Sequence, residues 1–145
     1  EVTSQSLKSL FECLNDQGVN IAGTILKPNM VTSGSMAENQ ASVQEVAEMT
    51  VQCLNENVPS NLPGITFLSG GQSDVNATAH LDAMNKIGGF PWKLSFSYGR
   101  ALQQPSLKAW LGKKDNIPHA QDALSHRALM NKLAANGAWN PSLEN

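Results

Sequence analysis

The chain has 145 residues, 41% of them hydrophobic and 15% charged, with a net charge of −2. That length and balance suit one soluble globular unit and argue against disorder, a collagen-like repeat or a coiled coil. The charge leaves no basic footprint for nucleic acid, and no apolar run approaches the roughly 18 residues needed to span a bilayer.

The opening Glu1-Val2-Thr3-Ser4 has neither the charged nor the apolar region of a signal peptide. Without an initiator methionine it reads as part of a longer chain. Leu7, Leu10, Phe11 and Leu14 then recur at helical spacing until Gly18. Cys13 and Cys53 fall inside predicted helices, without metal-ligand spacing, and read as buried reduced thiols of a cytosolic protein.

Residues 19–27 form a short apolar run rich in β-branched side chains, which predicts a strand ending at Pro28-Asn29. A polar loop follows to about Gln40. Ser42-Val43-Gln44-Glu45 has the form of a capping box, opening a helix through Leu54. Residues 64–68 predict a second strand. Ser69-Gly70-Gly71-Gln72-Ser73 is a tight loop into a helix with Ala77, Leu81 and Met84 on one face, ended by Gly88-Gly89. Residues 92–97 alternate as a third strand, closed by Tyr98-Gly99-Arg100. Two helices, about 101–111 and 118–136, finish the chain, with Gly137 as the stop.

Strands alternating with helices imply a parallel sheet with right-handed crossovers. Three strands alone leave two bare edges, and a closed (β/α)₈ barrel takes about 250 residues. The fold class is therefore α/β. The expectation is a single segment, 1–145, forming the C-terminal portion of a (β/α)₈ barrel: its last three parallel strands with their helices, and 101–145 as a C-terminal helical extension.

Lys27 sits at the C-terminal end of a predicted strand, where βα proteins keep their chemistry. Alternation places Ile25 and Lys27 on one face and Thr24 and Leu26 on the other. Pro28 biases Lys27 toward extended backbone. An apolar barrel wall around the amine would favour its neutral form. A neutral amine can condense with a ketone to an iminium, an electron sink that lets the neighbouring carbon–carbon bond break. A lysine capping a strand end in water is the plain competing reading.

Ser69-Gly70-Gly71 could hold a phosphate, because glycines admit close backbone approach and a helix N-terminus follows. Taken alone it is an ordinary βα turn. Gly99 and Arg100 close the next strand in the same kind of position, and a guanidinium fork suits phosphate oxygens. Phosphate sites often form from the loops after consecutive late barrel strands. The three features together suggest an enzyme that grips a phosphorylated carbonyl compound and attacks it with an amine.

At these residues the chain resembles a family. Gly23-Thr24-Ile25-Leu26-Lys27-Pro28-Asn29-Met30-Val31 resembles the Schiff-base lysine segment of class I fructose-bisphosphate aldolases. Phe67-Leu68-Ser69-Gly70-Gly71-Gln72-Ser73 resembles their substrate phosphate loop. Leu94-Ser95-Phe96-Ser97-Tyr98-Gly99-Arg100-Ala101-Leu102-Gln103 resembles their last strand with its phosphate arginine. The likeness runs from about Glu1 to Trp139, with the motifs in order. It implies Lys27 as nucleophile, with Ser69, Gly70, Gly71, Gly99 and Arg100 on a substrate phosphate and Leu68 lining the site. The implied reaction is reversible cleavage of fructose 1,6-bisphosphate to dihydroxyacetone phosphate and glyceraldehyde 3-phosphate in glycolysis and gluconeogenesis. It also implies no metal or cofactor, a cytoplasmic homotetramer, and no nucleic-acid or membrane partner.

Two departures stand beside the likeness. The family's acid/base carboxylates and further lysines belong to earlier strands, which do not precede Glu1 here. The only tyrosine is Tyr98, so for the functional tyrosine of eukaryotic C-terminal tails two explanations stay open: the tail is missing here, or the source belongs to a branch without it. A second reading is therefore a non-catalytic sugar-phosphate- or partner-binding fragment of such a barrel, and a third is a bare structural fragment. His80, His119 and His126 are too scattered for a zinc motif and read as surface or helix histidines. Trp92, Trp110 and Trp139 read as packing residues, and Lys108, Lys113 and Lys114 as a solvated cluster.

Overall fold

The computed structural model describes all residues, Glu1–Asn145. In chain order the elements are α1 (Val2–Asp16), a 3-10 turn (Ile21–Gly23), α2 (Val43–Asn57), β1 (Gly64–Phe67), α3 (Asp74–Ile87), β2 (Lys93–Phe96), α4 (Arg100–Trp110), a 3-10 turn (Lys114–Asn116), α5 (Ile117–Ala134) and a last 3-10 turn (Pro141–Glu144). No helix is long and apolar enough to cross a membrane.

The local signals act as expected at several ends. The capping box before α2 is complete: Glu45 N–H donates to Ser42 Oγ at 3.2 Å, and Ser42 N–H donates back to Glu45 Oε2 at 2.7 Å. The Ser42 hydroxyl, which also donates to Glu45 Oε2 at 2.7 Å, and then the Ser42 N–H hold the Glu45 carboxyl below its usual range. Gly18, Gly88 and Gly137 all adopt positive φ just beyond a helix, where a Cβ would be strained.

β1 and β2 pair in parallel, with Ile65 opposite Leu94 and Phe67 opposite Phe96. The predicted first strand is only partly realised. Residues 21–23 coil into a 3-10 turn, closed by Thr24 N–H and Thr24 Oγ1 donating to Ile21 O at 3.0 and 2.8 Å. Only Leu26 then joins the sheet, as a parallel bridge to Ile65. Leu26 N–H donates to Gly64 O at 3.2 Å and Thr66 N–H to Leu26 O at 2.8 Å. Pro28 has no N–H for the next rung, so the ladder cannot extend regularly, although its carbonyl still accepts from Leu68 N–H at 3.0 Å. The sheet is thus two strands plus one bridge, in place of three full strands.

Pairing fixes which side chains share a face. Ile65 and Phe67 are fully buried and Leu94 nearly so, and Leu26 packs against the same cluster. That cluster runs from Leu7 through Met30, Val46, Leu54, Leu81 and Met84 to Trp139. Full burial of each such side chain contributes about 1.5–3 kcal/mol. The opposite face carries Ile25, Lys27, Thr66 and Ser95. Ile25 is 66% exposed, Lys27 is exposed, and Thr66 and Ser95 are only partly covered.

Three packing expectations are corrected. Cys13 is exposed while Cys53 is buried, because α1 is covered on the side of Leu7 and leaves the Cys13 side open. Trp92 and Trp139 are buried, but Trp110 is 43% exposed at the end of α4. His80 lies inside the protein, on the face of α3 that includes Ala77, Leu81 and Met84.

Candidate functional site

The ends of the three sheet segments lie along one edge. The bridge places Lys27 beside Thr66, which pairs with Ser95. Parallel neighbours point to the same side, so Lys27 stands on the open face with these two hydroxyls. Two inter-strand spacings, about 10 Å, separate the Lys27 segment from the β2 segment that leads to Arg100. The expected division of faces is therefore present. The expected apolar shelter is not: Lys27 is exposed and this chain lays no wall over it. A sheet this narrow cannot curl over its own inner face, which takes a closed ring of strands.

The loop after β1 is pinned on several sides. Gln72 N–H donates to Ser69 O at 3.0 Å, and Gly70 and Gly71 take φ of +53° and +83°. Positive φ favours glycine at both positions, and a Cβ on Gly70 would stand 3.2 Å from Leu68 Cδ1, so that the leucine would have to shift by a few tenths of an ångström. Ser73 caps α3 by accepting Asn76 N–H at 3.1 Å. The Gln72 carboxamide oxygen lies 2.6 Å from His80 Nδ1, and its nitrogen donates toward Met30 Sδ at 3.6 Å. Gln72 thus ties the loop both to α3 and to the segment just after Lys27. Burial holds the His80 imidazole below its ordinary pKa, so at neutral pH the ring is uncharged.

Three hollows open on this loop. One, about 240 Å³, is lined by Gly71, Gln72, Ser73 and Asp74 from the first loop and by Arg100, Ala101, Gln104 and Lys108 from α4. A second, about 340 Å³, includes Leu68, Gly70 and Gln72, with Asn29 and Met30 from beyond Lys27. A third, about 590 Å³, lies between Gly70, Gly71, Gln72 and Ser73 and the segment around Thr32, Ser33 and Gln40. The structure brings Gly71 and Arg100 together in the first hollow and Leu68 and Gly70 together in the second. Lys27, Ser69 and Gly99 line none of the three. Ser69 is buried beneath the turn. Gly99 precedes α4, where its carbonyl accepts Leu102 and Gln103 N–H at 3.1 and 3.0 Å.

The first hollow is suited to an anion. It joins the N-terminal turns of α3 and α4, whose unpaired N–H groups and dipoles favour negative charge, to the Arg100 and Lys108 cations. Lys108, grouped with Lys113 and Lys114 by sequence, is exposed but belongs to this hollow. It sits two turns along α4 from Arg100, a spacing that helical periodicity makes legible. Gln72 and Asp74 were also missed, although both adjoin the Ser-Gly-Gly turn. No cluster of side chains here has the makings of a metal site.

The family model for class I fructose-bisphosphate aldolase matches residues 1–145. The chain belongs to the class I fructose-bisphosphate aldolase family. It is 55% identical over 140 residues to a probable fructose-bisphosphate aldolase class 1 of Xylella fastidiosa, covering 96% of this chain and 42% of that protein. It is 50% identical to fructose-bisphosphate aldolase 2 of Caenorhabditis elegans, with 96% and 38% covered. Among solved structures it resembles the Plasmodium falciparum aldolase determined with TRAP and a small-molecule inhibitor. The TM-score is 0.93 and the identity 45%, covering 96% of this chain and 40% of that one. The chain thus spans about two-fifths of the length of the aldolases it matches.

Proposed function

We propose that this chain supplies the Schiff-base lysine and one phosphate grip of a class I aldolase that reversibly cleaves fructose 1,6-bisphosphate. The observation that carries the reading is the common edge of the sheet: Lys27 ends one segment, the Gly70-Gly71 turn ends β1, and Arg100 follows β2. An amine and an anion-binding hollow carried by neighbouring segments on one edge of a sheet suit a ketose phosphate, whose carbonyl and phosphate are separated by a short carbon chain.

In this reading the sheet and its helices are the last part of a (β/α)₈ barrel, with 101–145 as its helical extension. The open face bearing Ile25, Lys27, Thr66 and Ser95 becomes the barrel interior once the remaining strands close over it, which supplies the shelter Lys27 lacks here. Arg100 and the backbone around Ser69, Gly70, Gly71 and Gly99 hold the phosphate, and Leu68 forms the adjoining wall. Lys27 Nζ attacks the ketone carbon, and loss of water leaves an iminium. The bond between the third and fourth carbons breaks, its electron pair passes to the iminium, and the aldehyde product departs as its hydroxyl proton is removed. Thr66 and Ser95, the strand neighbours of Lys27, are hydroxyls and poor bases at neutral pH. The proton transfers therefore fall to groups on other strands of the barrel. The assembled enzyme is a cytoplasmic homotetramer of the glycolytic and gluconeogenic route.

Borohydride reduction of the full-length protein with dihydroxyacetone phosphate, followed by peptide mass spectrometry, tests this. The expected result is a stable adduct on Lys27. Phosphate binding with no adduct would leave the non-catalytic, sugar-phosphate-binding reading in its place.

A further inference from the structure

Arg127 is one of few charged side chains buried in this protein, at 3% exposure, and it lies on α5, outside the proposed catalytic set. Its Nη1 donates to Thr78 Oγ1 at 2.9 Å and to Glu144 Oε1 at 3.1 Å, and its Nη2 pairs with Glu144 Oε2. Glu144 also accepts Trp139 Nε1–H at 2.8 Å. The remaining donor, Nε, is buried without a hydrogen bond. It stands 3.8 Å from Asp74 Oδ2.

Asp74 is the only acidic residue lining the hollow that holds Arg100 and Lys108. A carboxylate in an anion site is a fault unless something restrains it. Left free, Asp74 would pair with Arg100 and occupy the guanidinium a phosphate needs. We propose that Arg127 is a positioning residue for that hollow: from behind α3 it holds the Asp74 carboxylate away, keeping Arg100 available to a phosphate. The inference rests on the reading of the hollow as a phosphate site. The guanidinium is fixed for the task by Thr78 on α3 and by Glu144 in the C-terminal 3-10 turn, so docking of that turn and openness of the anion site share one side chain.

Removing Arg127 alone would strand the Glu144 carboxylate, so both are replaced together as R127M/E144Q. The carboxamide oxygen introduced by Glu144→Gln can still accept from Trp139 Nε1. The probe is inorganic phosphate, titrated by calorimetry against the full-length protein. R127M/E144Q is expected to bind it about threefold to fivefold more weakly, the scale of one partly exposed competing ion pair. Adding Asp74→Asn should restore affinity to that of the parent. Asp74→Asn in the parent should raise affinity much less than it does in R127M/E144Q; an equal gain in both backgrounds means that the two residues act independently and overturns the proposal. Asp74→Glu, which lengthens the carboxylate toward Arg100 and leaves the buried pair intact, should weaken binding in the same direction. Unchanged affinity in both R127M/E144Q and Asp74→Glu, or a loss that Asp74→Asn does not restore, overturns the proposal. Arg100→Ala separates the two levels: no loss of phosphate binding there overturns the phosphate reading itself. Its loss alongside an unaffected R127M/E144Q overturns only the role of Arg127.

Discussion

The two faces of the short parallel sheet are built from the same few residues and have opposite fates. Ile65, Phe67 and Leu94 are sealed under the helices, while Ile25 and Lys27, next to Leu26 in the chain, stand open. Parallel sheets are normally covered on both faces. The contrast teaches that the helix-covered face holds this unit together, whereas the open face is free for contacts beyond it; in the reading proposed above, these are the other strands of a barrel and a substrate.

That division is best broken by substitutions on either side. The largest effect is expected from Lys27→Met, which should abolish the borohydride-trapped adduct while leaving the thermal midpoint of the full-length protein nearly unchanged. A retained adduct would move the chemistry off the open face. Phe67→Ala should do the reverse, costing about 3–5 kcal/mol in denaturant unfolding, because Phe67 is fully buried and leaves a cavity. A cost below about 1 kcal/mol would mean that the helix-covered face is not the structural one.

Ile25→Ser sharpens the comparison by giving two answers. In the 145-residue chain, where Ile25 is 66% exposed, unfolding free energy should change by no more than about 0.5 kcal/mol. In the full-length protein the same change should cost about 2 kcal/mol or more, as expected for a side chain enclosed by the barrel. Equal costs in the two contexts would argue that no wall closes over this face.

The smallest expected effect is a pH dependence at the loop that joins the faces. Burial holds His80 below its ordinary pKa of 6.5. As pH falls through 6.5, the unfolded chain takes up this proton before the folded one does. The unfolded state then binds more protons, and stability declines toward acid. The midpoint should drop between about pH 7 and 5, and His80→Asn should flatten part of that slope. An unaltered slope in the variant would remove His80 as a contributor.

Much of the fold was legible because its signals are local. The Ser42–Glu45 box, the glycine stops and the helical stripes act within a few residues, and each lies where the sequence put it. The failure at residues 19–27 is equally physical. β-branched composition suggested a strand, but Asn20 and Ile21 offered carbonyls for a 3-10 turn and Pro28 withheld the N–H that the ladder needed. The Ser69–Ser73 turn and Arg100 were also readable, since glycines and an arginine directly after strands are sequence-adjacent features. The roles of Lys108, Asp74 and Arg127 were not, because they depend on where α4 and α5 lie relative to a loop far away in sequence.

The sequence by itself determined which residues face together: alternation set Ile25 and Lys27 against Leu26, and helical spacing set the buried stripe of α3. Only the tertiary structure decided what each face meets. It placed Gly71 beside Arg100 and Lys108, sank His80 and Arg127 into the interior, and left Lys27 in the open. Periodicity is a property of neighbours along the backbone, whereas burial, charge pairing and shelter depend on segments that the chain brings together from a distance.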